Sequence, residues 1–391
     1  MSKIKPFTEC VNLVGSAVKS YDGTKLYVST GALDCDHIDF SQTEEVSFKD
    51  KPSRANLCAE SGDILFAKMQ GTKKTLVLDA ETSNYIYSTG FVAVRPKENI
   101  ISRRCLYHLV TSTDFLQQKD KNCSGATQKA ITNKGLERIM ISVPDIAVQP
   151  KIANKLDRLD TAIQLCNKIL ERLNDIVKSR FIELFGDLVR NPMNWDEQLL
   201  GAVCAKVIRY PTFYGMEYLD TGTKVIRIGN ILADGRMDPD DKNYVFVYDT
   251  VNDDFPETII EMNDIIMAVR GDGSAAKRIG IITEPGLVGA NISPNLIRIK
   301  VDPDKLNPIY MFYYLTGEVG QKRLNAYVNK TAKKNIAAKD IVKVVVPVPP
   351  IDQQQVFAKF VADVDKSKLA VTKCLKKAEY LKAALMQQYF G

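Results

Sequence analysis

Apolar residues recur at alternating intervals of four and three in two stretches of the chain. The first runs Ile152, Leu156, Leu159, Ile163, Cys166, Leu170, Leu173, Val177 and Leu184, with Arg180 as its one break. The second runs Phe357, Val361, Val364, Val371, Leu375, Ala378, Leu385 and Tyr389, interrupted by Lys368 and Lys382. That spacing is the a/d seam of a coiled coil, so the pattern predicts two long helices. Each would hold about 36 residues and span about 54 Å. A β-branched run closed by prolines precedes each: VPDIAVQPKIA at 143–153 and VPVPPIDQQQVFAKFV at 346–361. Proline ends a strand and fixes the start of a helix, because the residue before it avoids the helical region. One seam of this length is not buried alone. The economical arrangement is that the two helices pair with each other, antiparallel. The competing arrangement packs each helix on its own domain.

Elsewhere the pattern is short and strand-like. Predicted strands are Asp63–Phe66, Thr75–Leu78, Phe91–Val94, Lys224–Ile228, Asp264–Val269, Ile279–Thr283 and Asn295–Ile299, with short helices at Cys105–Thr111 and Pro308–Gly317. Turn signals at Asp22-Gly23, Asp234-Gly235 and Gly271-Asp-Gly273 separate them.

The chain is written twice. Shifting 125–186 onto 330–391 moves every residue number by 205 and needs no gap. Lys129 then meets Lys334, Ile131 meets Ile336, Val143-Pro144 meets Val348-Pro349, Gln149 meets Gln354, Asp160 meets Asp365, and Phe185-Gly186 meets Phe390-Gly391. Upstream, Asp63-Ile-Leu-Phe-Ala67 parallels Asp264-Ile-Ile-Met-Ala268, and Leu26–Leu33 resembles Val225–Leu232. The expected fold class is α+β: two mostly-β globular domains, each followed by a long helix, with an internal pseudo-twofold repeat. The expected divisions are 1–143, a central helix and linker at 144–190, a second domain at 191–347, and a C-terminal helix at 348–391. Asn191-Pro-Met-Asn-Trp195 is the turn-like join.

With 391 residues, 45% apolar and 26% charged, the chain reads as a globular protein of two or three domains. No apolar run approaches the ~18 residues of a membrane span, and MSKIKPFTEC lacks the apolar stretch of a signal peptide. A cytoplasmic protein is expected. Eight scattered cysteines form no C-x-x-C pair and read as reduced, small apolar residues. His37 and His108 have no paired spacing, so no metal site is expected. No P-loop, no G-x-G-x-x-G and no N/D/S-P-P-aromatic pocket is present, and Gly271-Asp-Gly-Ser274 reads as a tight turn. The reading is therefore against catalysis, with no catalytic residues and no cofactor.

The net charge of +6 permits nucleic-acid binding, and its distribution favours it. From Val319 to Lys339 there is no acidic residue, while Lys322, Arg323, Lys330, Lys333, Lys334 and Lys339 are mixed with amides, hydroxyls and Tyr327. Phe115–Leu136 holds Lys119, Lys121, Lys129 and Lys134 against Asp120, with Thr127, Gln128 and Asn133 among them. Lysines neutralise phosphate, while Asn, Gln and Arg read base edges. A solvated basic surface is the plain alternative for either run. Two runs at equivalent places favour nucleic acid. A second basic, glycine-bearing surface follows the repeated strand: Ala67-Lys-Met-Gln-Gly-Thr-Lys-Lys74, parallel to Ala268–Ser274 with Lys277-Arg278.

In order, the chain carries W-x-x-x-x-L-G (195–201), I-R-I-G-N-I (226–231), D-I-[LI] strands, G-A-T-Q-K-A-I (125–131) and P-P-I-x-x-Q-Q (349–355) before a heptad helix. Over nearly its whole length this resembles the DNA specificity subunits of type I restriction–modification systems. The resemblance implies two target-recognition domains, each reading half of a split site in double-stranded DNA. The helix pair would be the spacer. Two methyltransferase (modification) subunits would dock on it, and restriction subunits would join that core. The DNA-contacting residues expected are Gln70, Lys73, Lys74, Thr127, Gln128 and Lys129 in the first domain. Arg270, Lys277, Arg278, Lys330, Lys333 and Lys334 are expected in the second. Leu156, Leu159, Ile163, Leu170, Val364, Val371 and Leu375 are expected at the helix interface. Two rivals stay open: a non-catalytic coiled-coil scaffold for protein partners, and a stand-alone nuclease or methyltransferase.

Overall fold

The computed structural model describes residues 2–209, 217–269, 278–329 and 335–391. Its contacts divide into two compact units, Met1–Ile169 with Val371–Gly391, and Leu170–Ala370. Each unit thus takes one end of each long helix.

In the first unit a four-stranded antiparallel sheet has the order Val11–Val14, Phe91–Pro96, Ile64–Ala67, Thr75–Val77. Its middle strand, Ile64-Leu-Phe-Ala67, is buried throughout. The reason is that both faces are covered. Ile64 and Phe66 pack with the short helices through Leu106, Leu109 and Phe115. Leu65 and Ala67 face the other way, onto Val28 and Tyr87 of a second sheet. That sheet has the order Glu44–Ser47, Thr24–Val28, Ile86–Ser88, Ala55–Leu57, with its central pair parallel. A strand buried on both sides reads as a continuous apolar run rather than an alternating one. Each fully buried Leu or Phe contributes on the order of 1.5–3 kcal/mol to this arrangement.

The second unit repeats the plan. Its four-stranded sheet runs Cys204–Arg209, Leu296–Val301, Ile265–Ala268, Ile279–Ile281, which is the same order. Ile265 and Met267 face one core, and Ile266 and Ala268 the other. A three-stranded sheet, Val245–Val247, Thr223–Ile226, Asn291–Ile292, covers that other face, again with one parallel pair. Each unit also has a two-stranded base, in which the strand before the proline turn was expected and its partner was not. Lys3–Pro6 pairs with Met140–Val143, and Asp196–Leu199 pairs with Val345–Val348. Lys3–Pro6 and Asp196–Leu199 are largely polar, so their strand character comes from the partner.

The predicted strands and the two short helices are present, with ends shifted by a few residues: the helices are Arg103–Val110 and Pro308–Thr316. Two further helices, Thr113–Lys121 and Glu318–Asn325, stand where the sequence suggested only basic surface. The long helices are Gln149–Phe185 and Ile351–Phe390, of 37 and 40 residues.

A glutamine at the start of each long helix explains the doubled strand-to-helix transition. Gln149 is fully buried; its Oε1 accepts from Ser102 N–H at 2.8 Å and its Nε2 donates to Ile100 O and Pro144 O at 2.8 and 2.9 Å. Gln354, also fully buried, accepts from Asn307 N–H at 2.8 Å and donates to Lys305 O and Pro349 O at 3.2 and 2.7 Å. All four positions are related by the same shift of 205, as 149 becomes 354, 102 becomes 307, 100 becomes 305 and 144 becomes 349. One amide side chain satisfies three backbone groups that the proline turn would leave buried and unpaired.

A second repeated device ties the central strands together. Asp63 accepts from Arg95 Nε at 2.7 Å and from Glu60 N–H at 2.8 Å. Asp264 accepts from Arg298 Nε at 2.6 Å and from Glu261 N–H at 2.7 Å. Arg95 and Arg298 then reach Glu60 and Glu261. In the second unit both Arg298 and Asp264 are 1% exposed, so neither charge survives burial without the other.

The seam residues are covered, to differing degrees. Leu156 is fully buried in a core shared with Ile152, Met386 and Phe390. Val364 is buried with Phe357, Val361, Val177 and Phe185. Leu159, Ile163, Leu170, Val371 and Leu375 are half-buried. The polar breaks are paired: Lys382 with Asp160, Lys368 with Asp365, and Arg180 with Glu183. Arg180 also lies over the Phe360 ring at 5.8 Å. The ends of both helices belong to the cores of the units. The Asn191–Trp195 join is a tight turn, with Asn191 at φ +45° and Asn194 at φ +51°. Trp195 Nε1 donates to Phe185 O at 3.0 Å, occupying a carbonyl at the end of the first long helix.

Candidate nucleic-acid interface

Two basic segments that lie far apart in sequence meet in the first unit. The loop from Lys68 to Lys74 joins Ile64–Ala67 to Thr75–Val77. The segment Gly125–Lys129 is the turn of a small hairpin, Cys123–Ser124 with Ala130–Ile131. Gln70 N–H donates to Lys129 O at 3.0 Å, Ile131 N–H donates to Lys68 O at 2.9 Å, and Met69 bridges to Ala130. The sequence presented these as two separate candidate surfaces; in the structure they are one.

Gln70, Lys73, Thr127, Gln128 and Lys129 are all exposed on it. Gly125 needs to be glycine: φ is +131°, and a Cβ there would stand 2.5 Å from Gln128 O. Lys74 departs from the expectation. It is half-buried, and its Nζ donates to Thr30 O at 2.8 Å. That lysine holds a loop of its own unit and is not a free cation for phosphate. Burial pushes the neighbouring Lys68 ammonium below the ordinary lysine range, and its Nζ donates to Thr89 O at 2.8 Å.

The first basic run also contained residues that the sequence misassigned. Lys119 is 1% exposed, on the last turn of Thr113–Lys121, and donates to Met69 O at 3.0 Å and Thr72 O at 2.9 Å. Asp120 Oδ2 accepts from Gly71 N–H at 3.1 Å. Counting charges along the chain gave no signal that one lysine of the run points inward. Lys121 and Lys134 are exposed.

In the second unit Arg278 is exposed at the start of Ile279–Ile281, and its Nη1 donates to Ile228 O at 3.2 Å. This places it beside the I-R-I-G-N-I segment, whose Ile228–Asn230 forms a 3-10 turn. Arg227 lies over the Tyr218 ring at 5.8 Å, and buried Asn230 fixes the turn by accepting from Arg227 N–H at 2.8 Å. Arg270, Lys277, Lys330, Lys333 and Lys334 lie outside the described residues. Of the rest of that basic run, Arg323 is in structural use, donating to Val345 O and Glu197, whereas Lys322 and Lys339 are exposed. Among the described residues no group of three or more His, Cys, Asp or Glu side chains could hold a metal ion, and no helix is long and apolar enough to cross a membrane.

The family model for the type I restriction modification DNA specificity domain matches residues 41–175 and 192–380, once in each half. The specificity subunit of the Escherichia coli type I restriction enzyme EcoBI is 23% identical over 288 residues, covering 67% of this chain and 58% of that protein. The chain therefore aligns with little more than half of that relative. The type I restriction–modification S subunit from M. genitalium superposes with a TM-score of 0.59 at 14% identity, covering 100% of this chain and 96% of that one. A structure of a type I system described in terms of complex assembly and conformational transition gives a TM-score of 0.59 at 19% identity, covering 99% and 97%. At these identities the superpositions establish the fold.

Proposed function

As the chain belongs to the type I restriction–modification DNA specificity family, we propose that each globular portion reads one half of a bipartite site in duplex DNA. The observation that carries this is the duplication. The same strand order and the same buried-glutamine joint occur twice, and a family match falls on each copy. Two readers on one chain suit a split site. In the first reader the exposed set is Gln70, Lys73, Thr127, Gln128 and Lys129. An amide bonds adenine edges in two places, and lysine neutralises phosphate or bonds guanine. For the second reader the proposed DNA-contacting residues are Arg270, Lys277, Arg278, Lys330, Lys333 and Lys334.

The two long helices pair antiparallel as a coiled coil and set the distance between the readers. They also offer partners an apolar surface: Leu165, Ile176, Ile182, Val356, Leu369 and Tyr380 are all exposed on them. Two modification subunits dock there and on the globular portions, and restriction subunits join that core. The chain itself performs no chemical step and takes no cofactor; it acts in the cytoplasm by placing a methyltransferase on chosen DNA.

The test is a methyl-transfer assay with S-adenosylmethionine on duplex DNA. The chain alone, with or without Mg²⁺, leaves DNA unmodified and uncut, and the chain with its modification subunits methylates a defined site. Activity from the chain alone, or site choice unchanged when the chain is exchanged for another specificity subunit, contradicts the proposal.

A further inference from the structure

We propose that Lys119 and Asp120 are positioning residues that hold the first reader's DNA-facing loop in its reading shape without touching DNA. The inference rests on the reading above, that this surface contacts duplex DNA, and adds how it is kept in register. In the loop Met69–Lys73, Gln70, Gly71 and Lys73 are exposed, Gly71 has φ +76°, and the internal bonds are the two that Thr72 donates to Met69 O, from its N–H at 3.4 Å and its hydroxyl at 2.6 Å. Its inward-facing groups are fixed from behind. The Lys119 ammonium takes the carbonyls of Met69 and Thr72, and Asp120 takes the Gly71 N–H. The ammonium and the Asp120 carboxylate lie 3.3 Å apart, so the buried charge has its counter-ion. Cys123 Sγ, at the start of the hairpin, donates to Lys119 O at 3.3 Å, and Gln70 N–H to Lys129 O closes the ring. Loop, hairpin and helix end therefore form one rigid piece, with Gln70, Lys73 and Lys129 on its outer side. Base readout depends on side-chain placement to within a hydrogen bond's tolerance, whereas phosphate attraction does not. Loosening the piece should cost selectivity before it costs affinity.

The second half carries other residues at these two positions. The shift of 205 that aligns the two halves carries Lys119 to Leu324 and Asp120 to Asn325, and Leu324 is fully buried in an apolar core. The Lys119–Asp120 pair is found in the first half alone, so its loss should act on one half-site and leave the other as an internal control.

The experiment selects bound sequences from a random duplex library. It uses the full chain with its modification subunit, as wild type, Q70A, K129A, K119M and D120A. The half-site altered by Q70A and K129A identifies the first reader's. K119M and D120A should relax that same half-site, lowering discrimination against single base changes by about tenfold. The other half-site and the gap should stay as in wild type. K119M should also keep the wild-type dependence of affinity on salt, whereas a lysine on phosphate would lower the slope by about 0.9. If Q70A and K129A alter a half-site and the clamp variants do not, the clamp is wrong and the reading stands. If no variant alters either half-site, the reading fails and the clamp with it. Should K119M not fold, D120A decides, because Asp120 is part-exposed and Lys119, though it loses its counter-ion, keeps the carbonyls of Met69 and Thr72. An effect of D120A spread over both half-sites overturns the proposal.

Discussion

At the scale of single residues, the fold depends on a few polar side chains buried with every group satisfied. Replacing Gln149 or Gln354 with leucine strands three backbone groups each. Either variant should lose about 1–3 kcal/mol per stranded group in denaturant unfolding, and the two losses should be similar because the joints are equivalent. The Arg298–Asp264 pair is asymmetric in a useful way. R298M leaves a buried carboxylate alone and should cost about 3–5 kcal/mol, while R298M with D264L should recover part of it. Glu261 gives a pH signature. Hydrogen bonds from Lys300 and Arg298 hold its carboxyl down at about 2, against 4.5 unpaired. A depressed carboxylate stabilises the fold above its unfolded value and loses that contribution as pH falls towards its folded one. Stability of the wild type should thus fall between about pH 4.5 and 2 more steeply than that of E261Q, as measured by thermal melts across that window. This scale was the least legible in the sequence. Gln149 and Gln354 could be aligned, but nothing in their neighbours revealed three bonds each. Lys119 could not be told from the exposed lysines around it, because inward or outward pointing depends on the loop that packs against it.

At the scale of elements, periodicity was informative wherever packing and sequence share a period. The two long helices were legible from end to end because a four-three seam persists through Arg180, Lys368 and Lys382, each paired where it breaks the pattern. The central strands were legible as apolar runs. The base strands Lys3–Pro6 and Asp196–Leu199 were not, since polar residues form strands there only because Met140–Val143 and Val345–Val348 offer an edge. The helices Thr113–Lys121 and Glu318–Asn325 were masked by their charge, which drew the reading towards surface. Helix length yields its own prediction. Adding one heptad to each long helix at the centre, beside residues 169 and 370, keeps the seam in phase and lengthens the pair by about 10.5 Å. At about 3.4 Å per base pair, the gap between half-sites should grow by about three base pairs, with both half-sites retained. This is checked by sequence selection with the lengthened chain. An unchanged gap would mean that something other than the helices sets the spacing.

At the scale of the whole molecule, the repeat is the argument. A chain that builds the same three-layer reader twice, and joins each copy to a long helix by the same glutamine, is suited to reading two sequences at a fixed separation. The sequence showed the duplication and the resemblance; the structure adds that loop and hairpin form one surface in the first unit. The measurement that bears most directly on the central claim is selection of bound sequences from random duplex DNA by the chain with its modification subunit. The account predicts two short defined half-sites separated by a gap of constant length and no sequence preference. A single contiguous motif, or no enrichment at any salt concentration, would contradict it.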